Sequence, residues 1–366
     1  MEKIIPEQVV AFVGLSKSGK SLLARRLGEL TSLEGVSEYC SSATEEDFVA
    51  SEQSEYFVIK LESKCLEIAV APGQRKFWKW VDFCLSDSDS AILVVAPVLG
   101  SFPICSIIEP LVHMIAYGVV CAGIAVNISA CPDCDLDSVI SEIRSDYFRV
   151  FGTSDALCVL PFSFDDLNSI RSIGQFLGDL PRPKRTVNST FAMSVTSVHS
   201  RKDCVLLGGK VLDGSVSVGD AVFLLPSAIP LVVSSVRVAE CDVDKALCGS
   251  IVGIRFDGIP RSFVSTGMVL SSRVVSCTRK IAVHVNFFNT NFQIKLGFSP
   301  MISILGCHVH GRIVHIEREC ALGDSTIVHV SLNKAVCVGA NNRLMRITMR
   351  QENILVGVGI ITEILD

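Results

Sequence analysis

The feature that most constrains this chain is Gly14-Leu-Ser-Lys-Ser-Gly19-Lys20-Ser21, which fits the pattern G-x-x-x-x-G-K-[ST]. The apolar run Val9 to Gly14 precedes it as a strand and Ser21 to Leu30 follows as a helix. In that setting the loop's backbone N–H groups surround a phosphate at a helix N-terminus. Gly14 and Gly19 permit close approach, and Lys17, Ser18 and Leu22 border the phosphate. Lys20 reaches the β- and γ-phosphates, and the Ser21 hydroxyl takes a magnesium position. The alternative is a chance Gly- and Ser-rich turn.

The runs that follow alternate between strand-like and helical: Tyr56 to Leu61, Leu66 to Ala71, Ala91 to Ala96, a helical Ile107 to Tyr117, Val119 to Asn127, and a last helix from Ser169 to Leu180. This predicts βαβ units on a largely parallel sheet. The two prolines of Pro181-Arg-Pro-Lys-Arg185 then stop the helix. From Phe191 the texture becomes short β-branched runs broken by Asp213-Gly214, Gly219-Asp220, Cys248-Gly249 and Asp257-Gly258, the spacing of all-β domains. A second set of strands runs from Arg279 to Asp366. The expected organisation is an α/β domain over 1–181, a linker over 182–186, and β-barrels over 187–273 and 274–366.

With 366 residues, two or three domains fit the length. A net charge of −5 gives no bulk electrostatic reason to bind nucleic acid, so any RNA contact needs a local basic patch. Lys17, Arg75, Lys76, Lys79 and Arg182 to Arg185 are the candidates; their plainer reading is solvated surface. The mean hydropathy is high at +0.46, yet the longest apolar stretch, Leu111 to Ile128, is interrupted by His113, Tyr117, Gly118, Gly123 and Asn127. It reads as a helix end, a turn and a buried strand, so no membrane segment is expected. The N-terminus lacks the pattern of a secretory signal, which predicts a cytoplasmic protein. The 15 cysteines are scattered through apolar runs, as in a reducing compartment; Cys131-Pro-Asp-Cys134 is half of a zinc pattern without a second half. His308 and His310 share one face of a strand and receive no role.

Two further loops belong to the site. Ala71-Pro-Gly73-Gln74 follows a strand, where Gly73 offers an N–H to a γ-phosphate and Gln74, the catalytic candidate, orients a water; a simple turn is the alternative. Ala71 stands where related GTPases carry a metal-orienting aspartate, which predicts weakened magnesium binding. Asn127-Ile-Ser-Ala130 occupies the place of a guanine-selecting Asn-Lys-x-Asp loop, with its lysine and aspartate replaced. Hydrogen bonds to a charged partner are worth about 1.5–3 kcal/mol each, so base selection weakens. Asp133 is a poorly spaced substitute.

These residues resemble the translational GTPases related to elongation factor 1-alpha and elongation factor Tu, including the class II release-factor GTPase and the Pelota-partner rescue GTPase. Ala71-Pro-Gly-Gln-Arg-Lys-Phe77 is similar to the family's Asp-Ala/Thr-Pro-Gly-His-x-x-Phe, and Val159-Leu-Pro-Phe-Ser163 to the segment whose serine backs the guanine. Gly208 to Asp220, Ala246 to Gly253, Gln293 to Pro300 and Val358 to Glu363 resemble its β-domain motifs. The resemblance implies an α/β P-loop GTPase domain followed by two all-β barrel domains. It implies a monomer that binds GTP or GDP with magnesium, using Asn127 and Ser163 at the base. It also implies work at the ribosome with a tRNA or a tRNA-mimicking protein, such as a release factor or Pelota-like protein; termination or rescue is the favoured branch. The family's first-switch threonine has no clear counterpart, Thr44 being the nearest substitute, and Gln74 replaces its hydrolytic histidine. A weak or inactive GTPase acting as a binding module is therefore the second reading.

Overall fold

A computed structural model describes residues 6–31, 38–39, 54–98, 107–154, 157–187, 189–201, 203–238, 241–287, 292, 294–318, 325–339 and 342–365. Thr44 and Gln293 lie outside them. The chain divides into two compact units, one reaching Pro183 and the other from Lys184 on, with the short Ala116–Gly118 segment grouped with the second.

The first unit contains β1 (Gln8–Val13), α1 (Lys20–Thr31), β2 (Glu38–Tyr39), β3 (Glu55–Lys60), β4 (Cys65–Val70), α2 (Trp78–Ser86), β5 (Ser90–Val95), α3 (Ile108–Tyr117), β6 (Val120–Asn127), α4 (Leu136–Phe151), β7 (Val159–Phe162) and α5 (Leu167–Asp179). Its sheet runs β2-β3-β4-β1-β5-β6-β7. Strands β4, β1, β5, β6 and β7 are parallel, whereas β2, β3 and β4 pair antiparallel. The central strands are covered on both faces and so read as unbroken apolar runs; every residue of β1 and of β5 is buried. Helix α1 lays Leu23, Ala24 and Leu27 on the sheet, and α5 adds Ile170, Ile173 and Leu177 at helical spacing. Gly118, in the left-handed region at φ 65°, turns α3 into β6 within the apolar Leu111 to Ile128 stretch. Among the described residues, no helix is long and apolar enough to cross a membrane.

The second unit is all β, with short 3₁₀ turns between strands. Strands β8 (Ala192–Ser194), β9 (Ser197–Arg201), β10 (Cys204–Asp213), β11 (Ser215–Ser217), β12 (Ala221–Leu225), β13 (Ile229–Val232), β14 (Ser235–Val238), β15 (Cys241–Val243), β16 (Lys245–Leu247), β17 (Ile251–Asp257) and β18 (Val269–Ser271) come first. They build a nine-stranded antiparallel sheet, a half-barrel, and the small β11–β16 pair. Alternate residues such as Val252, Ile254 and Phe256 fill its core. Strands β19 (Cys277–Phe287), β20 (Met301–Ile304), β21 (Cys307–Ile316), β22 (Ser325–Cys337), β23 (Arg346–Gln351) and β24 (Ile354–Ile364) close into a barrel, which leaves no free edge. The expected α/β domain followed by two β domains is what the chain forms; of the β pair, the second is the closed barrel.

Candidate phosphate-binding site

The loop after β1 lies at the carboxyl edge of the sheet, where the chain passes from β4 on one side of β1 to β5 on the other. Crevices at such points are where open α/β sheets bind ligands. A cavity of about 220 Å³ opens there, lined by Ser16, Lys17, Gly19 to Leu22, Glu55 and Val70 to Gln74. The structure therefore brings Lys17, Gly19, Lys20, Ser21, Leu22, Gly73 and Gln74 together around one space, which Gly14 and Ser18 of the same loop do not line.

Lys20 is the charge of this site. Its side chain is 6 % exposed, and Nζ donates to the carbonyls of Gly14 at 2.9 Å and Leu15 at 2.7 Å and to Ser18 Oγ at 3.4 Å. Burial lowers its pKa to about 8, against the opposing pull of the Glu55 carboxylate. Lys17 holds the loop in the left-handed region at φ 64°, a conformation that costs a non-glycine residue energy. Gly73 meets this loop backbone to backbone: Ser16 N donates to Gly73 O at 3.0 Å, and a Cβ on Gly73 would stand 2.3 Å from Ser16 N. Gln74 is exposed at the cavity's rim.

Asn127 and Ser163 belong to a packed cluster beside the cavity. Asn127 Nδ2 donates to Ser18 O at 3.2 Å, tying the end of β6 to the phosphate loop, while its Oδ1 is buried without a partner. Gly19, at φ 96°, passes so close that a Cβ there would meet Asn127 Nδ2 at 2.9 Å and the Phe164 ring at 3.1 Å. Ser163 Oγ lies 2.9 Å from Ser129 Oγ, and Ser129 Oγ accepts from Phe164 N at 2.9 Å. Asn127 and the Ser129–Ser163 pair thus bond within the fold beside the open cavity. After Ala130, Cys131 and Cys134 are joined as a disulfide around the exposed Asp133, so this pair is neither free nor half of a zinc site. Among the described residues no group of three or more His, Cys, Asp or Glu is placed to hold a metal.

Several basic candidates have partners within the fold. Arg75 pairs with Glu109 at 2.9 Å and Arg182 with Glu7 at 2.7 Å. Lys76 and Lys79 lie over the rings of Phe77 and Trp78.

Sequence reading missed Glu55 and misplaced the lost aspartate by one residue. In Asp-Ala/Thr-Pro-Gly the aspartate stands two places before the proline, so counting back from Pro72 its position is Val70, and Ala71 holds the small-residue place. Val70 lines the cavity at the end of β4, and its cross-strand partner is Glu55. The available signal was a glutamate two residues before Phe57 on a strand face otherwise apolar.

No protein-family model matches the chain. Elongation factor 1-alpha of Aeropyrum pernix is 24% identical over 352 residues, covering 84% of this chain and 80% of that protein. The eukaryotic peptide chain release factor GTP-binding subunit of Kluyveromyces lactis is 24% identical over 223 residues, 53% of this chain and 31% of that longer protein. Homology points to the translational GTPase superfamily. The fold of that superfamily recurs in solved structures. Translation elongation factor SelB of Methanococcus maripaludis, in complex with the GTP analogue GppNHp, superposes with a TM-score of 0.75 at 15% identity, over 100% of this chain and 80% of that one. A bacterial selenocysteine-specific elongation factor gives 0.73 at 17% identity, over 98% of this chain and 58% of that one. These translational GTPase relatives span elongation and release factors and do not single out the Pelota-partner branch.

Proposed function

We propose that this protein is a ribosome-associated, translation-factor-like nucleotide binder that grips GTP or GDP chiefly by its phosphates. The observation carrying this reading is the open cavity lined by Ser16, Lys17 and Gly19 to Leu22, with the buried Lys20 among them and Gly73 docked against the loop. The β- and γ-phosphates would face Lys20 and the N–H groups at the start of α1, where the helix end favours negative charge. Ser21 would hold magnesium by its hydroxyl, since a hard oxygen donor beside phosphates suits that ion. Bound magnesium neutralises phosphate charge and orients the terminal phosphoryl group.

Base selection in this reading is loose. Ala130 has no carboxylate for the guanine edge, and Phe164 N already donates to Ser129 Oγ. Hydrolysis is slow, because Gln74 is the cavity's water-orienting candidate in place of the family's histidine. The β domains would carry a tRNA or a tRNA-mimicking protein to the ribosome, with termination or rescue the favoured duty, in the cytoplasm. The domain limits at 181, 186 and 273 are part of the same proposal. Calorimetry with GTP, GDP and ATP, with and without magnesium, tests the core of it. Binding of guanine nucleotides that Lys20→Ala abolishes supports the reading; no binding of any nucleotide overturns it. The losses at Val70 and Ala130 support a second reading, a pseudo-GTPase that binds nucleotide without turnover. A single-turnover GTP assay separates the two.

A further inference from the structure

Glu55 is an anomaly where it stands. It begins β3 on the face that carries Phe57 and Ile59, each 1 % exposed and packed in the core of the first unit. Strand alternation puts all three on one side of the sheet. That face packs on α1, and at its end Glu55 lines the same cavity as Ser21, its carboxylate acting on Lys20. Directly across the antiparallel pair is Val70, the position where a metal-orienting aspartate is missing. Cross-strand neighbours have Cβ atoms about 4.5–5.5 Å apart, so a glutamate on one strand serves the space of an aspartate on the next.

Phosphates arriving beside this carboxylate meet a like charge, and like charges at close range in a partly desolvated site repel. A divalent cation between them removes the conflict. Magnesium is typically held by one or two carboxylates, substrate phosphates and waters, so a single carboxylate with one hydroxyl is a sufficient protein contribution. We propose that Glu55 supplies the carboxylate of a magnesium site completed by the Ser21 hydroxyl and the nucleotide's phosphates, replacing on β3 the aspartate lost at Val70 on β4. The inference rests on the nucleotide-binding reading above. It makes the metal site relocated rather than merely weakened.

The signs of the effects are opposite with and without metal, which makes the idea testable on the full-length protein. GDP is titrated calorimetrically into wild type, Glu55→Gln and Glu55→Gln/Val70→Asp, each with EDTA and with magnesium. Electron paramagnetic resonance of Mn²⁺ with GDP reports the metal itself. Glu55→Gln should tighten GDP binding in EDTA and reduce the enhancement by magnesium about 10- to 100-fold, the usual effect of removing a metal-orienting partner. Mn²⁺ binding falls with it, and Val70→Asp in the double variant restores both. The same gain from Glu55→Gln with and without magnesium would mean that the carboxylate only repels phosphate, and would overturn the inference alone. Unchanged magnesium dependence, or no rescue by Val70→Asp, does the same. Failure of wild type to bind GDP in any condition overturns the nucleotide reading and this inference with it.

Discussion

At the residue scale, Lys20 and Gly73 set the behaviour of the site. Lys20 has a pKa lowered to about 8 by burial. An arriving phosphate stabilises the ammonium and raises that value, so binding above pH 8 takes up a proton. GDP affinity should therefore fall as pH rises through about 8, and calorimetry in two buffers of different ionisation enthalpy should reveal the uptake. The stability effect has the other sign. The folded state gives up this proton before the unfolded chain does, so in the absence of ligand stability rises between about pH 8 and the ordinary lysine range. Gly73 has no room for a side chain against Leu15 and Ser16. Gly73→Ala should cost about 1–3 kcal/mol, the usual penalty of overpacking, read as a lower urea midpoint. An unchanged midpoint would show that the two loops separate freely.

Among the elements, α2 and α3 meet in a buried polar contact. His113 Nε2 of α3 lies 2.5 Å from Asp82 Oδ1 of α2, and both residues are nearly inaccessible. Removing one partner of a buried hydrogen bond typically costs about 1–3 kcal/mol, more where the other group is charged, and His113→Ala also opens a cavity. His113→Ala should therefore lower the urea midpoint more than Gly73→Ala does, and a milder effect would mean that water reaches Asp82. The contrast between legible and illegible elements has a physical origin. Strands β1 and β5 are buried on both faces and announce themselves as apolar runs. Helix α4 was missed although Leu136, Val139, Ile143 and Tyr147 recur at helical spacing, a signal that marks the helix but not its ends. Its boundaries come instead from Asp135, whose side chain accepts from Asp137 N, and from Gly152 at φ 72°. Helix α2 was hidden by its aromatic residues, Trp78, Trp80 and Phe83. Glu55 was illegible for another reason: its meaning depends on the register of β3 against β4, which no single segment encodes.

For the whole molecule, the order of parts was readable because it depends on period and punctuation: apolar runs and helices up to Pro181, then β runs broken by Gly and Asp. What could not be read was closure, since whether strands form a half-barrel or a full barrel is decided by pairing between distant segments. Residues 184–366 have their own core and a closed barrel, so this stretch expressed alone should give a β-type circular dichroism spectrum and a cooperative melt. A disordered spectrum would show that it needs the first unit. On the proposed reading, the first unit holds nucleotide through its phosphates. The most direct measurement is calorimetric titration of GTP and of ATP, each with magnesium, into the full-length protein and into Lys20→Ala. Both nucleotides should bind wild type with affinities within about tenfold, or ~1.4 kcal/mol, of each other, and neither should bind the variant. Binding undiminished by Lys20→Ala, or no binding to wild type, would contradict that reading.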